Sequence, residues 1–560
     1  MNFLVRILRG KTPNYSLSTI NYPLSTIHYP LNKMVYPTGF AKFIIVLTTI
    51  TAAIMELLDT SIVNVALFNM AGSLGVNVED VAWVITSYAI ANVIIIPLTG
   101  FLGEYFGRKN YYLVSMVIFV FASYMCGAST SLPMLVFWRF VQGIGGGALL
   151  STSQAILFDA FPPKDRAIAS GLFGMGVIMG PTLGPTLGGW VMEHLDWPWI
   201  FYINLPVGLV ACLLAYNFIE KKEGEGKSKS DIEIDYLGIL LLAVGIGSLQ
   251  YVLERGESED WFASFTIQWL TVAALIGVVG FIWRELVIPN PAVRLSILKN
   301  RTLAMTNVFT FVVGIGLFTS VYVFPVMVQR INGFTPYETG LAILLPTLIG
   351  AFIFPIVGKM MAKGAPPTPF IVVGCIMFII FGFYGGTMNG DADRWDFFYV
   401  LMLRTFGISL MQLPLINQAV AGLPQKDYAP AIAINNMIRQ LGGAFGIALA
   451  NNYVSTHFAQ HRADLISHVY QSNPITAERL TTLTNGLIAK TGDATTAAQQ
   501  ALTILNFSVD KQAYLLSYLD TYRLISLFFI AILPFIFFVK PKKKEGAVSA
   551  EAAKAAMEAH

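Results

Sequence analysis

Two acidic residues lie three positions apart in the middle of an apolar segment. Glu56 and Asp59 occur in IMELLDTSIVNVAL, and a separation of three places them on one face of a helix. A charge at the centre of a bilayer costs about 2.5–3.5 kcal/mol, so such acids persist where they face a cavity, are paired or carry protons. Burial and mutual repulsion favour a proton on at least one of them. The pair predicts a proton-coupling site; the alternative is a pair of hydrogen-bonded acids that only fix helix packing.

One basic residue in a later apolar segment could neutralise these acids. Arg139 occurs early in FWRFVQGIGGG, and an arginine stays charged when it is buried. The glycines at 143 and 145–147 would let two helices approach closely. Arg139 is therefore expected to join Glu56 and Asp59 in the proton-coupling site, with Gln142, one turn further, lining the same cavity.

A glycine-rich turn separates the second and third apolar segments. It reads GFLGEYFGRK and includes Gly100, Gly103, Glu104, Gly107, Arg108 and Lys109. The glycines allow a tight turn, and the charged residues could clamp neighbouring helix ends. A degraded copy that lacks the acidic residue follows at 358–364, and internal duplication is expected of transporters built from two similar halves.

The fifth apolar segment combines small residues with prolines. Glycines at a spacing of four form a flat face for helix contact, and prolines remove backbone donors and bend a helix. The alternative is a generic kinked membrane helix. Because six of ten positions are glycine or proline in this pattern, that alternative is the weaker interpretation. The residues are Gly180, Pro181, Gly184, Pro185, Gly188 and Gly189.

The composition places these motifs in a membrane protein. Of 560 residues, 55% are hydrophobic and 12% are charged, and the mean hydropathy is +0.63, whereas soluble domains carry about 25% charged residues. The net charge of +3 gives no support for nucleic-acid binding. Cys126, Cys212 and Cys375 lie in apolar segments without metal-ligand spacing and are interpreted as buried apolar residues. The class of soluble proteins is excluded.

Apolar runs of about twenty residues, the length that crosses a bilayer, recur along the chain. Breaks at charged or Pro/Gly-rich positions divide them into fourteen predicted helices at 43–67, 81–103, 110–130, 133–158, 167–190, 200–219, 236–253, 266–286, 303–328, 337–361, 369–388, 397–421, 429–452 and 519–539. If the N-terminus is cytoplasmic, basic clusters such as Lys221–Lys229 and Lys540–Lys544 fall inside, as the positive-inside rule requires. Both termini are therefore predicted to be cytoplasmic.

The first 33 residues contain the near-repeat LSTINYPLSTIHYPL, with a period of seven. A short tandem DNA duplication would produce such a repeat, so Met34 is interpreted as the functional start and 1–33 as possibly untranslated. The segment has neither a long apolar region nor a cleavage site and is not predicted to be a signal peptide.

Residues 453–518 form one long polar connection, which falls on the outer side. It is rich in Thr, Ala and Gln, with helical stretches such as Thr495 to Leu505, and it is too long for a plain turn. His457, His461 and His468 could be considered metal ligands, but no cysteine joins them. A solvated helix face is the preferred interpretation, and no metal site is predicted.

Taken in order, these motifs resemble the major facilitator superfamily, specifically its fourteen-helix drug:proton antiporters of the EmrB/QacA type. The turn at 100–109 is similar to the superfamily's loop motif, with Glu104 in place of the usual Asp. Arg139, Gln142 and Gly143 match the proton-coupling motif, and 180–189 matches the antiporter motif that symporters generally lack. Smaller agreements occur at Leu58–Leu67 (with Phe68 where a proline is common), Trp199–Pro206, Pro325–Gly333 and Arg439–Gly443. The resemblance as a whole covers about residues 40–540.

The resemblance implies an all-α polytopic membrane protein with the major facilitator fold, two six-helix bundles plus two inserted helices. The implied domains are a cytoplasmic tail at 1–40, a six-helix bundle at 41–219, a linker with two inserted helices at 220–300, a second bundle at 301–540 that carries the insert 453–518, and a tail at 541–560.

The implied function is proton-coupled export of small amphipathic drugs or toxic metabolites across the inner membrane, without a cofactor. Alternating access would pass through a largely apolar central cavity lined by polar groups, namely Asn64, Gln142, Gln412, Asn417 and Gln418. The family likeness and the outer insert suggest a tripartite pump with a periplasmic adaptor and an outer-membrane channel. The alternatives are a proton-coupled symporter, for instance for a siderophore or an organic acid, and a membrane enzyme or receptor, which no nucleotide-binding or nucleophile motif supports.

Overall fold

The computed structural model describes residues 36–221, 234–470 and 472–539. Four features of the sequence lie outside these ranges: the repeat within 1–33, the proposed start at Met34, the basic residues Lys222, Lys227 and Lys229, and the tail from Lys540 onward.

The described residues fold into eighteen α-helices joined by short turns, and these ranges contain no strand. The helices are α1 Gly39–Leu74, α2 Val78–Val81, α3 Trp83–Phe106, α4 Arg108–Gly127, α5 Leu132–Ala160, α6 Arg166–His194, α7 Trp199–Tyr202, α8 Asn204–Phe218, α9 Tyr236–Arg255, α10 Phe265–Val287, α11 Arg301–Met327, α12 Pro336–Ala351, α13 Ile353–Ala362, α14 Pro367–Gly385, α15 Arg394–Val420, α16 Tyr428–Ser467, α17 Pro474–Thr491 and α18 Ala494–Ile532.

Thirteen helical segments within the described ranges are long and apolar enough to cross a membrane. The segment predicted at 429–452 is the exception: it lies in α16, which has 40 residues but carries polar side chains such as Asn435, Asn436 and Arg439. All three are buried, because α16 packs against α11, α18 and α3. The prediction of an all-α polytopic membrane protein is confirmed.

The helices pack as two groups. Helices α1, α3, α4, α5, α6 and α8 contact one another in the first bundle, and α11–α16 and α18 do so in the second. The bundles meet where α6 lies against α12 and α13 and where α3 lies against α16. Helices α9 and α10 pack on each other, and α9 also contacts α3 and α16, so this pair lies beside the junction between the bundles.

Small residues bring α6 close to α1. A methyl group at Gly180 would lie 2.6 Å from the Cβ of Leu57, and one at Gly184 would overlap the side chain of Ser61. Pro181 and Pro185 lie inside α6, which continues through both. The predicted flat face is therefore a contact with the helix that carries Glu56 and Asp59.

Residues 453–518, predicted as a long polar connection with helical stretches, lie mostly in helices in the described part of the chain. Helix α16 runs to Ser467 and α18 begins at Ala494, so both extend beyond the predicted bounds of 429–452 and 519–539, and α17 packs against α18. Hydropathy detects only the part of a helix that lies in lipid, which is why the polar extensions were predicted as a connection. We refer to α17 and the polar extensions of α16 and α18, residues 453–518, as the helical extension.

Candidate functional site: two buried acids at the centre of the bundles

Asp59 is fully enclosed within the first bundle. Its side chain has no exposed surface, and its Oδ2 accepts a hydrogen bond from Arg139 Nη1 at 2.6 Å. Its Oδ1 accepts from Gln142 Nε2 at 2.9 Å and from Asn204 Nδ2 at 2.9 Å. Both oxygens are thus paired with donors, and charge-assisted bonds of this kind are the strong ones. The carboxylate is therefore fixed between α1, α5 and α8.

Arg139 is held as firmly as its partner. Its Nε donates to the carbonyl of Val84 at 3.0 Å, and its Nη1 also donates to Gln142 Oε1 at 2.8 Å. The guanidinium lies over the ring of Tyr88, 4.3 Å from the centroid, and 5.6 Å from that of Phe201. Because a guanidinium presents several donors in a fixed plane, one residue fixes α1, α3 and α5 together.

Glu56 has a different environment, although it lies one turn away on the same helix. It is 2% exposed, and its Oε1 accepts a hydrogen bond from Asn92 Nδ2 at 3.1 Å. Its Oε2 is buried without a hydrogen-bond partner in the described part of the chain. An unpaired polar atom in a low-dielectric interior is costly, so this oxygen is the one in the pair that could accept a proton or a ligand group.

The surroundings of Glu56 come from both bundles. Asn92 belongs to α3 of the first bundle, and its Oδ1 accepts a hydrogen bond from Gln440 of α16 at 3.4 Å. Arg439, also on α16, is buried, and its positive charge acts on Glu56. The Nε of Arg439 makes no hydrogen bond in the described ranges. All the partners of Asp59, by contrast, belong to the first bundle.

The five residues predicted to line a cavity occupy different places. Asn64 is exposed, and Gln142 is part of the Asp59 cluster. Asn417 accepts a hydrogen bond from Ser170 of the first bundle at 3.0 Å. Gln412 and Gln418 are buried, and both amide atoms of Gln412 and the Oε1 of Gln418 lack partners in the described residues.

The glycine-rich turn ties the two bundles together at one end of the molecule. Gly107 has φ +82°, a conformation that favours glycine, and Gly100 lies against Pro430 of α16, where a methyl group would be 3.1 Å from Pro430 Cα. Gly103 has open space. Glu104 Oε2 is 2.8 Å from Arg294 Nη2, and Arg294 Nη1 is 3.5 Å from Asp427 of the second bundle.

The remaining charged residues of the turn are also engaged. Arg108 pairs with Asp159, which also accepts a hydrogen bond from Gln425 at 3.3 Å. Lys109 Nζ donates to the carbonyl of Tyr216 at 2.7 Å. The turn thus contacts α5 and α8 of its own bundle, and it meets the second bundle directly at Gly100 and through Arg294.

The end of α6 that carries Gly188 and Gly189 serves two contacts. Gly188 lies against Ile62 of α1, whereas a methyl group at Gly189 would lie 2.8 Å from the backbone nitrogen of Tyr337 on α12. Nearby, Thr182 Oγ1 is 3.4 Å from Thr347 Oγ1 of the second bundle. Helix α6 is therefore the element that joins the acid-bearing helix to the second bundle.

The sequence predictions did not assign roles to Asn92, Asn204 or Gln440. Asn204 begins α8 within the FYINLP stretch, and Asn92 lies in the middle of an apolar segment. Both are polar residues inside predicted membrane spans, and this feature alone could have identified them as candidate site residues. Arg439 and Gln440 were part of a quoted motif but were not connected with Glu56.

This fold and these motifs define the class of protein. Residues 49–447 match the family model of the Major Facilitator Superfamily, and the chain belongs to this family. It is therefore a membrane transporter and not an enzyme, as predicted.

Several relatives are similar over nearly the whole chain. The Multidrug export protein EmrB of Escherichia coli strain K12 is 32% identical over 495 residues, which cover 88% of this chain and 94% of that protein. The Fatty acid resistance protein FarB of Neisseria gonorrhoeae is 31% identical over 88% of this chain and 95% of its own length. The predicted resemblance to the EmrB group is confirmed.

Solved structures share the fold at much lower identity. The human organic anion transporter MFSD10 (TETRAN) has a TM-score of 0.56 at 15% identity, covering 89% of this chain and 99% of that one. The proton:xylose symporter XylE has a TM-score of 0.54 at 14% identity, covering 90% and 96%. These likenesses support the major facilitator fold.

Proposed function

We propose that this protein is a proton-coupled exporter of amphipathic small molecules, in which Glu56 carries the exchanged proton. Export and substrate class are supported by the relatives named for multidrug export and fatty acid resistance. Proton coupling is supported by the buried acids. The distribution of basic residues between connections supports an inner membrane protein whose termini and glycine-rich turn face the cytoplasm.

The choice of Glu56 follows from which bundle supplies each partner. In alternating access the bundles move relative to each other, so a ligand or proton can couple to the motion only if its binding free energy differs between the two states. The partners of Asp59 would move with it as one body. The charge of Arg439, on the opposite bundle, acts on Glu56, and Gln440 of the same helix donates to Asn92, the hydrogen-bond partner of Glu56. The electrostatic environment of Glu56 therefore changes when α16 moves relative to α3.

The proposed cycle uses this difference directly. When Arg439 lies close to Glu56, its opposite charge stabilises the ionised carboxylate relative to the arrangement in which Arg439 is distant. When α16 moves away, Glu56 loses that stabilisation and binds a proton. The hydrogen bonds of Asp59 and Arg139 keep α1, α3, α5 and α8 in one arrangement throughout.

Everted membrane vesicles test this assignment. In vesicles loaded with a proton gradient, adding an exported amphipathic dye should release protons from the lumen through the wild-type protein, as recorded by a pH-sensitive fluorophore. Glu56→Gln should remove the substrate-dependent proton flux. Full proton-coupled efflux by this variant would show that Glu56 is not the carrier.

Two controls separate coupling from folding. Glu285→Gln replaces another buried acid, whose Oε2 accepts a hydrogen bond from the backbone of Val293 and which lies in the α9–α10 pair; it should retain coupling. Asp59→Asn should reduce the amount of folded protein, and the flux per folded molecule is the quantity to compare. Uptake in place of efflux by whole cells would favour the symporter alternative.

We also propose that the helical extension binds a periplasmic adaptor protein and so connects the transporter to an outer-membrane channel. The extension is braced by Arg462–Asp510 at 2.6 Å and by Phe458 stacked on Tyr514 at 3.9 Å. Even so, Ile475 and Phe507 are 77% and 67% exposed. Exposed apolar side chains on a rigid element outside the lipid are typical of a protein-binding surface.

His457 and His461 have local partners in this extension. The ring of His457 stacks on Tyr453 with centroids 3.7 Å apart, and His461 Nε2 is 2.9 Å from Asp520. These contacts favour a structural role for both histidines.

A double variant tests adaptor binding. Ile504 and Phe507 are three residues apart and share a face of α18, so Ile504→Ser/Phe507→Ser should abolish drug resistance in intact cells while preserving transport in everted vesicles. Lys511 is an exposed polar residue one turn further, and Lys511→Ser is the matched control. It should change neither drug resistance in cells nor transport in vesicles. Unchanged resistance in the double variant would contradict adaptor binding at this surface.

A further inference from the structure

A groove runs along the outer side of the first bundle, away from the acids. Helices α3 and α4 both pack on α5, and between them lies a cavity of about 590 Å³. That volume falls in the range of roughly 300–1,000 Å³ that is typical of ligand pockets. We refer to this cavity as the α3–α4 groove.

The groove has an apolar body and a basic rim. Its walls are formed by apolar side chains, with Ile144 of α5 between the two helices, and its rim carries Lys109, Asn110 and Lys221. Val114, on the wall, is 56% exposed, so the groove opens towards the surrounding lipid. The apolar wall residues of α3 and α4 include Ile95, Leu102, Phe106, Val114 and Ile118.

The donors at the rim of the groove are not fully used. The side chain of Tyr111 lines the cavity, is 9% exposed and interacts with Ser115, another lining residue. Lys109 Nζ makes one hydrogen bond, to the carbonyl of Tyr216, and an ammonium has three donors. The rim therefore offers unused donors next to an apolar channel.

The length of the groove matches one leaflet of a bilayer. From Ile95 to Phe106, the wall residues along α3 span about 16 Å at 1.5 Å per residue, close to half of the roughly 30 Å hydrocarbon core. Basic pockets between membrane helices on the cytoplasmic side are suited to anionic lipid headgroups.

We propose that the α3–α4 groove binds an anionic phospholipid of the cytoplasmic leaflet, with an acyl chain between α3 and α4 and the phosphate at Lys109 and Lys221. The assignment to this leaflet rests on the orientation proposed above. The site is independent of the proton-coupling residues, and it places a lipid against the turn that Glu104 and Arg108 tie to the rest of the molecule.

Native mass spectrometry of the purified full chain tests the proposal, with phosphatidylglycerol as the probe and phosphatidylethanolamine for comparison. The wild-type protein should bind phosphatidylglycerol more tightly. Lys109→Gln/Lys221→Gln should weaken phosphatidylglycerol binding about thirty-fold, because each lysine near an anionic headgroup contributes roughly a factor of five. Lys359→Gln/Lys363→Gln, two exposed lysines of the second bundle, is the charge-matched control and should bind as the wild type does.

A second pair of variants tests the groove without changing charge. Val114→Trp should block the channel and lower phosphatidylglycerol binding at least ten-fold. Val117→Trp, on the same helix, 55% exposed and not part of the groove lining, should leave it unchanged. Thermal unfolding of each purified variant establishes that it is folded before its lipid binding is compared.

Three results would overturn the proposal. Equal binding of the two phospholipids by the wild type would remove the role of the basic rim, and equal binding by Val114→Trp and Val117→Trp would place the lipid elsewhere. Displacement of phosphatidylglycerol by an equal concentration of oleate would assign the groove to free fatty acid. Because lipid binding is measured without transport, it can fail while the Glu56 assay succeeds, or the reverse.

Discussion

Breaking the Asp59–Arg139 pair should destabilise the protein more than breaking an exposed ion pair. Both side chains are buried, at 0% and 1% exposure, with 2.6 Å between Asp59 Oδ2 and Arg139 Nη1. In Asp59→Asn, the amide oxygen can keep the hydrogen bonds from Gln142 and Asn204. The amide nitrogen then faces the guanidinium donor, and Arg139 is left as an uncompensated buried charge.

The expected cost follows from that geometry. Removing one partner of a buried ion pair destabilises a protein by about 3–5 kcal/mol, and Arg139→Gln should cost a similar amount because it leaves the carboxylate unpaired. The double variant Asp59→Asn/Arg139→Gln should cost less than the sum of the two, since the second substitution removes a charge that the first left unpaired. We expect a coupling free energy of about 3 kcal/mol.

Steric trapping of the protein in lipid bicelles measures these free energies of unfolding. Asp510→Asn is the control, because its partner Arg462 is 36% exposed and pairs at the surface contribute about 0–1 kcal/mol. A cost below about 1 kcal/mol for either buried variant, or additive costs in the double variant, would refute the view that this pair holds the first bundle together.

Three further predictions concern packing, charge at the turn and the α9–α10 pair. Gly184→Leu should destabilise the protein by about 1–3 kcal/mol through overpacking against Ser61, whereas Gly103→Ala, with open space around it, should not; thermal unfolding compares them. Arg294→Gln removes the ion pairs with Glu104 and Asp427. Because these groups are partly exposed, the variant should lose less than about 1 kcal/mol of stability. A cysteine placed at Ala429 should nevertheless be labelled faster in this variant. For Asp235, burial alone would raise the pKa, but hydrogen bonds from Arg284 and the amide of Gly238 hold it below its usual range. The contribution of this carboxylate to stability should therefore be constant from pH 5 to 8 and be lost only as the pH falls through the lowered pKa. In the wild-type protein, hydrogen exchange at Gly238 should follow the intrinsic rate from pH 5 to 8 and rise above it only in acid. In Asp235→Asn, this additional rise in acid should be absent.

The sequence was sufficient to predict the class of fold and the presence of a buried acid pair. Apolar runs and polar residues within them are visible in any membrane sequence, because the bilayer penalises buried charge strongly. The separate environments of Glu56 and Asp59 could not be predicted, since both lie on one face of α1 and their partners depend on the rotation of α3, α5 and α16 about their axes. Spacing along one helix does not contain that information.

The full lengths of α16 and α18 and the presence of the α3–α4 groove were not predicted, for related reasons. Hydropathy separates lipid from water but does not show where a helix ends, so α16 and α18 were predicted too short. The groove arises because α3 and α4 both pack on α5 and leave space between them, which is a property of three helices together. Lys109 was recognised as part of a turn, but Lys221 is more than a hundred residues away in the sequence.

The most direct test of the account is proton release from the purified protein when substrate binds. In weakly buffered detergent solution at neutral pH, adding an exported amphipathic cation should acidify the medium in proportion to the protein present. Glu56→Gln should release no protons while still binding the compound, and Glu285→Gln should behave as the wild type. Undiminished proton release from folded Glu56→Gln protein would contradict the assignment of the exchanged proton to the acid that faces both bundles.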